Sequence, residues 1–206
     1  GQADLPYATR PTGMAYNNTL NVADIQPGTG HYVAAHGAEI FVVDVTTNTV
    51  VTRNSTSAFN NSTDLAFNPV DGKIYSVRSA TGEVFRYDLT TNTASPALIT
   101  LPLAGSSGGW GGIFFDSGGT MYAYRSGGGI AGNGVVHRIF NVSGTGGPIT
   151  YDVLAPGAAG AANLDGARCP AAAASVPPAV LLRKTTVGAP GGAFGFTLNN
   201  TVSKTA

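Results

Sequence analysis

Short runs of alternating apolar and polar residues, separated by turn residues, recur along most of this chain. The clearest stretch spans Leu65–Leu89, where three such runs are separated by Asp71-Gly72 and Thr81-Gly82. Alternation over four to eight residues is typical of half-buried strands, and these dipeptides are typical of hairpin turns. A further apolar run at Leu98–Leu101 supplies a fourth strand. The pattern predicts a four-stranded antiparallel meander, which is the unit of a β-propeller blade.

The same unit recurs on both sides of this stretch. Phe41–Thr49 reappears as Phe85–Thr93, and Ala66–Val77 is echoed by Gly112–Tyr124. A period of about 40–50 residues with several strands in each repeat is the signature of a propeller. We therefore predict an all-β fold of propeller-like four-stranded antiparallel meanders. Its three clear units lie at about residues 11–57, 62–104 and 109–155.

A closed propeller has about four to eight blades, so three units leave the ring incomplete. Three explanations stay open: a divergent or incomplete fourth blade, blades outside this chain, or completion by another chain.

Asp44 and Asp88 occupy equivalent places in two of the repeats, each followed one residue later by Thr-Thr-Asn-Thr. Asp and Asn side chains bond to their own backbone and set tight turns. We expect a structural role for both carboxylates and no catalytic one. Glu39, Asp64 and Asp116 show no paired carboxylate in the sequence.

Composition narrows the class of protein. Apolar residues make up 43% of the chain, enough for a packed core, but charged residues make up only 11%, against about 25% in an average domain. The polarity of the surface must come from Asn, Thr, Ser and Gly, which favours an extracellular β protein.

The net charge is zero, which disfavours a nucleic-acid partner. No apolar run has the length of a membrane span, and the start at Gly1 suggests a processed product or a fragment.

Three segments are predicted along the chain. Residues 1–155 form the propeller-like domain, and residues 156–179 form a linker rich in Ala, Pro and Gly, part of which is a candidate start of a fourth blade. Residues 180–206 hold two strands, too few for a stable domain in water. Their apolar side must pair with this chain's own blades or with a neighbouring copy by strand donation. The residues predicted to mediate that contact are Val180, Leu182, Phe194, Phe196 and Leu198.

Cys169 is the only cysteine. Its candidate states are a disulfide to a cysteine outside this segment, an intermolecular disulfide and an unpaired thiol.

No metal or cofactor is predicted. His31 and His36 are five residues apart, which places them on opposite faces of an alternating strand, and His137 is isolated in sequence. The sequence contains no calcium-binding loop motif. Calcium binding by a ring of acidic and Asn side chains at the central channel of a propeller is an alternative that the sequence leaves open.

The glycine runs around Trp110 and at Gly127–Gly132 lack the Lys-Ser/Thr of phosphate loops. We interpret them as connections between blades, where binding residues are common. Trp110 itself has two candidate roles, core packing or contact with a sugar or partner chain. No Ser/His/Asp arrangement can be assigned, so we do not expect an enzyme.

Two parts of the sequence resemble known families. Gly112–Asp116, Gly119–Tyr124 and Asn163–Pro170 resemble an uncharacterised propeller-like domain of secreted bacterial surface proteins, over about residues 11–170. Leu182–Thr186 and Gly192–Leu198 resemble the opening strands of the immunoglobulin-like repeats of large bacterial adhesins. The resemblance implies a structural or adhesive protein at the bacterial cell surface and supplies no catalytic residues.

These observations together predict a non-enzymatic extracellular structural protein, a subunit of a surface filament or pilus-like appendage whose copies assemble by strand exchange. The first alternative is a monomeric adhesin module that binds a glycan or a cell-surface protein. The second alternative is a propeller hydrolase.

Overall fold

The computed structural model describes residues 22–103, 108–126, 133–159, 195–198 and 201–205, and these residues form an all-β structure. They build three antiparallel sheets that follow one another along the chain, and a separate two-stranded sheet. Among the described residues there is no helix with the length and apolar character of a membrane span.

Each of the three large sheets is a meander in which consecutive strands are neighbours, except that the last two short strands of the second sheet both pair with the strand before them. The first contains β1 (Val22–Ile25), β2 (Tyr32–His36), β3 (Glu39–Asp44) and β4 (Thr49–Ser55). The second contains β5 (Ser62–Phe67), β6 (Ile74–Arg78), β7 (Glu83–Asp88), β8 (Thr93–Ala94) and β9 (Ile99–Thr100). The third contains β10 (Gly112–Phe115), β11 (Met121–Arg125), β12 (Asn133–Phe140) and β13 (Thr150–Ala159).

The predicted propeller-like meanders are confirmed. In the second sheet the outermost strand is split, because β8 and β9 both pair with β7. Pro96 lies between these two short strands, and proline cannot donate to a ladder. The last predicted unit is longer than expected, since β13 continues to Ala159 rather than ending at residue 155.

The turn role of the repeated aspartates is also confirmed. Asp44 Oδ1 accepts hydrogen bonds from the backbone N–H and the hydroxyl of Thr46 at 2.8 and 2.6 Å. Asp88 Oδ1 accepts the backbone N–H of Thr90 at 2.8 Å. Asn48 and Asn92 then adopt φ values of 52° and 56°. Asn tolerates this left-handed conformation better than most residues, so the Asp and the Asn of the repeated run close the turn together.

Two hydrophobic cores hold the three sheets face to face. The second sheet contributes to both, because its side chains alternate between its two faces. Phe67 and Phe85 pack toward the first sheet, whereas Tyr75 and Val84 pack toward the third. Full burial of each such side chain contributes about 1.5–3 kcal/mol. The middle blade is therefore covered on both sides by apolar contacts.

The first strands of the three sheets lie side by side, β1 next to β5 and β5 next to β10. A carboxylate joins each pair. Asp24 accepts the N–H of Ile25 at 2.7 Å and the N–H of Phe67, in the next sheet, at 2.8 Å. Asp64 likewise accepts the N–H of Leu65 at 2.8 Å and that of Ile113 in the third sheet. We call these two contacts the carboxylate bridges.

The bridges follow one geometric rule. Ile25 and Phe67 hold equivalent places in their own hairpins, each opposite the first residue of the second strand, and Leu65 and Ile113 are equivalent in the same way, each opposite the third residue. Each bridge thus joins equivalent backbone N–H groups of adjacent first strands. The residues of β10 that align with the two aspartates are Phe114 and Gly112, so the third sheet carries no such carboxylate.

The C-terminal tail forms a hairpin of β14 (Gly195–Leu198) and β15 (Thr201–Thr205). β14 lies within the predicted strand that contains Phe196 and Leu198, and β15 is a further strand that was not predicted. The predicted strand around Val180 and Leu182, together with Phe194, lies outside the described residues. So do Cys169 and the predicted linker from residue 160 onward.

Candidate functional site

A pocket of about 500 Å³ opens between the second and third sheets, at the end where β5 begins and where β6 and β11 end. This volume falls within the usual range of small-molecule sites. The described residues that line it come from the turn before β5, the end of β6, the β9–β10 connection and the end of β11. They are Asn60, Asn61, Ser62, Thr63, Ser79, Ala80, Leu103, Gly108 and Arg125. We call it the junction pocket.

Arg125 supplies the positive charge of the junction pocket. It is the last residue of β11 and is only 2% exposed. Its Nε donates a hydrogen bond to the carbonyl oxygen of Gly108 at 3.2 Å, and its guanidinium carbon lies 5.6 Å from the centre of the Trp110 ring. Burial lowers the pKa of Arg125, but an arginine remains charged at neutral pH.

The glycines before Trp110 allow the β9–β10 connection to approach β11. A Cβ built on Gly108 would lie 1.7 Å from the backbone oxygen of Ser126, so a larger residue would displace the backbone. The carbonyl of Gly109 accepts the N–H of Ser126 at 3.1 Å. These close contacts position the Gly108 carbonyl that holds Arg125. The described part of this glycine run leads from the second sheet to the third, as predicted, whereas the run at Gly127–Gly132 falls between β11 and β12 of one sheet, so its prediction as a connection between blades is wrong.

Hydroxyl and amide groups form the rim opposite Arg125. The backbone of this rim is fixed, because the N–H of Ser79 donates to the Asn61 carbonyl at 2.7 Å. The hydroxyl oxygens of Thr63 and Ser79 lie 3.5 Å apart. The Ser62 hydroxyl is buried and finds no hydrogen-bond partner among the described residues. The rim therefore offers several neutral donors and acceptors to a polar ligand.

Two buried rings and one exposed ring form an aromatic cluster next to Arg125. The Trp110 and His137 rings are 5.3 Å apart, and Tyr151 meets His137 edge-on at 5.8 Å. His137 is 1% exposed, and burial lowers its pKa, with the charge of Arg125 acting in the same direction. The imidazole is therefore neutral at pH 7. Within the described residues, the Trp110 Nε1 and His137 Nδ1 atoms are buried without a hydrogen-bond partner.

The structure decides between the two candidate roles of Trp110. Its side chain is completely buried in the core between the second and third sheets. Contact between its ring and a sugar or a partner chain is not available in this arrangement, so the candidate ligand-contact role is corrected to a packing role. Trp110 supports Arg125 from behind instead of lining the pocket.

The other candidate residues from the sequence lie at separate places in the fold. Among the described residues no cluster of three or more His, Cys, Asp or Glu side chains could hold a metal ion. Glu39 forms an ion pair with Arg53 across two strands, and Asp116 accepts the N–H of Gly118 and Thr120 in the β10–β11 turn. Of the predicted strand-exchange residues, Phe196 and Leu198 lie in β14.

Sequence reasoning missed Arg125 and His137 as buried residues, although a signal was present. Arg125 follows Met121 and Ala123 at alternate positions, and these two side chains are fully buried. His137 likewise alternates with Val135 and Ile139. A strict reading of strand periodicity would have placed both polar side chains on the buried face.

The fold and the junction pocket define this protein as an all-β, propeller-like module with a pocket between two blades. The chain belongs to the family described as a repeat of unknown function (DUF6923), whose model matches residues 5–171. This agrees in extent with the resemblance noted over residues 11–170. The comparison with curated proteins gives no match.

The chain is similar to several solved structures. An auxiliary nutrient binding protein from Bacteroides ovatus is 18% identical with a TM-score of 0.50, over 66% of this chain and 32% of that chain. A calcium-binding protein, regucalcin, from Agrobacterium tumefaciens is 19% identical with a TM-score of 0.47, over 70% of this chain and 46% of that chain. A β-propeller domain from Myceliophteria thermophila is 9% identical with a TM-score of 0.32, over 66% of this chain and 70% of that chain. This chain thus spans less than half of the first two proteins.

Proposed function

We propose that this protein is a non-enzymatic, extracellular binding module of a bacterial surface protein, and that it binds a glycan in the junction pocket. The observation that carries the proposal is the pocket itself, where hydroxyl and amide groups of Ser62, Thr63, Ser79, Asn60 and Asn61 surround one guanidinium. Such groups match the hydroxyl-rich surface of a sugar. The resemblance to surface proteins and the low content of charged residues support an extracellular location.

Binding is favoured over hydrolysis by the chemistry of the lining. Acid–base catalysis needs a carboxyl, imidazole or similar group within reach of the ligand. The described residues that line the pocket include no carboxyl group, no imidazole and no thiol. The nearby His137 belongs to the aromatic cluster behind Arg125. This argument concerns the junction pocket alone.

A glycan array probed with the purified chain tests the proposal. The wild-type protein should bind a restricted set of glycans, and the double variant Asn60→Ala/Asn61→Ala should lose that binding. The matched control is Thr52→Ala, an exposed position on β4 that is not among the residues lining the pocket, which should bind like the wild type. Absence of glycan binding by the folded wild-type chain would refute the proposal.

Assembly into a filament is a second candidate function, and the C-terminal hairpin favours it. Within the described residues β14 and β15 pair only with each other, and an isolated two-stranded sheet is marginally stable in water. Its open edges could be completed by strands of another copy. Deletion of residues 180–206 should then convert assemblies into monomers, as measured by light scattering and electron microscopy. Assembly that is unchanged by the deletion would exclude strand exchange through this tail.

A further inference from the structure

We infer that the outer edge of β13 is an acceptor surface, at which β14 of a second copy adds as a further strand of the third sheet. The inference rests on the second candidate function, assembly through the C-terminal hairpin, and identifies the surface that receives the hairpin. Three observations support it: the contrast between the outer edges of the three sheets, the apolar side chains on β13 and the sequence of the tail.

The outer edges of the first two sheets are protected against the addition of another strand. In the first sheet, β4 carries Arg53, which pairs with Glu39 at 2.5 Å, and its register shifts between the partners of Val42 and Val43. In the second sheet, Pro96 divides the outer strand into two strands of two residues each. Charges, bulges, proline and short strands are the features that prevent edge-to-edge pairing.

The outer edge of the third sheet differs from these two. β13 has ten residues, and among the described strands it pairs only with β12. Its register is uninterrupted over Thr150–Val153. Asp152, the one charged residue of β13, is paired with Arg138 at 2.6 Å. This edge therefore presents a regular ladder of four residues, which matches the four residues of β14.

Apolar side chains lie along the same edge. Tyr151 and Val153 are 39% and 57% exposed, and the register places them beside Ile139 and His137 of β12, whose side chains are buried. Tyr151 and Val153 therefore extend the core between the second and third sheets to the surface. An added strand with apolar residues at alternate positions would make cross-strand contacts with both, and such pairs stabilise sheets.

The tail has the sequence that this edge requires. Phe196 and Leu198 of β14 are two residues apart, the spacing that places both on one face of a strand. Residues 180–206 contain three basic residues and no acidic residue, so pairing between two tails brings like charges together, whereas β13 has no basic residue. Within the described residues of one chain, β14 pairs with β15 and not with β13, which favours a contact between copies.

Assembly of the full chain, followed by sedimentation velocity over a range of concentrations, tests the inference. Val153→Lys should weaken association by roughly tenfold or more, because the burial of a valine is replaced by the burial of a charge. Val51→Lys is the matched control and should assemble like the wild type, because Val51 lies on the outer strand of the first sheet and is 51% exposed. Both variants should keep the wild-type melting temperature, since both sites are exposed.

Disulfide trapping between copies tests the contact directly. One preparation carries Val153→Cys and the other carries Phe196→Cys or Leu198→Cys, each together with Cys169→Ser. Neighbouring strands bring facing Cβ atoms close to disulfide distance, so mixing the two preparations under mild oxidation should give cross-linked dimers. Val51→Cys in place of Val153→Cys should give none.

The outcomes separate this inference from the function on which it rests. If deletion of residues 180–206 abolishes assembly but Val153→Lys does not, and the Val153→Cys cross-link is absent, the acceptor role of β13 is overturned while strand exchange stands. A wild-type chain that stays monomeric at every concentration would overturn both. Cross-links confined to single chains, in a variant that carries both cysteines, would show that β14 pairs with its own β13 and would overturn the inference.

Discussion

Asp24 on the first strand of one sheet accepts the backbone N–H of Phe67 on the first strand of the next, at 2.8 Å. The same carboxylate accepts the N–H of Ile25, which holds the same place in its hairpin as Phe67 holds in the next one. Asp64 repeats this arrangement with Leu65 and Ile113. The order of the blades is thus fixed at their central strands by specific polar contacts as well as by apolar packing.

The first prediction concerns this carboxylate bridge. Asp24→Asn keeps one acceptor oxygen but replaces the other with a donor, so the N–H of either Ile25 or Phe67 loses its partner. We expect the free energy of unfolding to fall by about 1–3 kcal/mol. Asp152→Asn, which weakens the partly exposed ion pair to Arg138, should change it by roughly 1 kcal/mol or less. Urea unfolding curves measure both, and equal losses would contradict a special role for the bridge.

The pH dependence of Asp24 provides an independent check. Burial raises the pKa of Asp24, against the opposing effect of its bonds to the N–H groups of Phe67 and Ile25. Between the ordinary value near 3.8 and the raised value, the folded chain binds more protons than the unfolded chain. Its contribution to stability is therefore present at low pH and is lost as pH rises through the raised pKa. The free energy of unfolding of the wild type, relative to that of Asp24→Asn, should therefore decrease as pH rises through the raised pKa of Asp24.

The carboxylate bridges also show where sequence reasoning reached its limit. The alternation of apolar residues predicted the strands, and the Asp-Thr-Thr-Asn run predicted the turns, because both depend on neighbours along the chain. Asp24 and Phe67 are 43 residues apart, and nothing in the local pattern states which first strands will be adjacent. The junction pocket was missed for the same reason, since Ser62 and Arg125 meet only through the packing of two blades.

A second prediction compares two glycines with similar backbone conformations. Gly37 and Gly82 both have positive φ, 57° and 73°. A Cβ on Gly37 would meet nothing within 4 Å, but one on Gly82 would lie 2.3 Å from the Leu101 carbonyl oxygen. Gly37→Ala should cost about 1–2 kcal/mol from the backbone alone. Gly82→Ala should cost more, because β9 must move, and equal costs in thermal or urea unfolding would be inconsistent with this packing.

The third prediction concerns the turn between β3 and β4. Hydrogen bonds from the side chain and then the backbone of Thr46 lower the pKa of Asp44 to about 2. Thr46→Val should raise that pKa toward 3.8, whereas Thr47→Val should raise it less, because the Thr47 contribution is smaller. Carboxyl carbon chemical shifts followed by NMR measure each value.

The sign of the corresponding stability effect is opposite to that of Asp24. Because the folded pKa of Asp44 is depressed, its contribution to stability is present above the unfolded value and is lost as pH falls toward 2. Thr46→Val should weaken this acid dependence. An Asp44 carboxyl that titrates near its ordinary value in the wild-type chain would show that the turn bonds do not form in solution.

The last prediction links the glycine run to the junction pocket. Gly108→Ala should displace the β9–β10 connection, since its Cβ would collide with the Ser126 carbonyl, and the movement should withdraw the Gly108 carbonyl from Arg125. Trp110, the only tryptophan, reports this change because it follows Gly108 by two residues and its buried ring lies near the Arg125 guanidinium, so its fluorescence emission should shift to longer wavelength. Gly118→Ala is the matched control, because its Cβ would make an ordinary contact of 3.4 Å with Asp116. If the Gly108→Ala emission stayed at the wild-type wavelength with unchanged glycan binding, the close approach of these two strands would not be what positions the guanidinium.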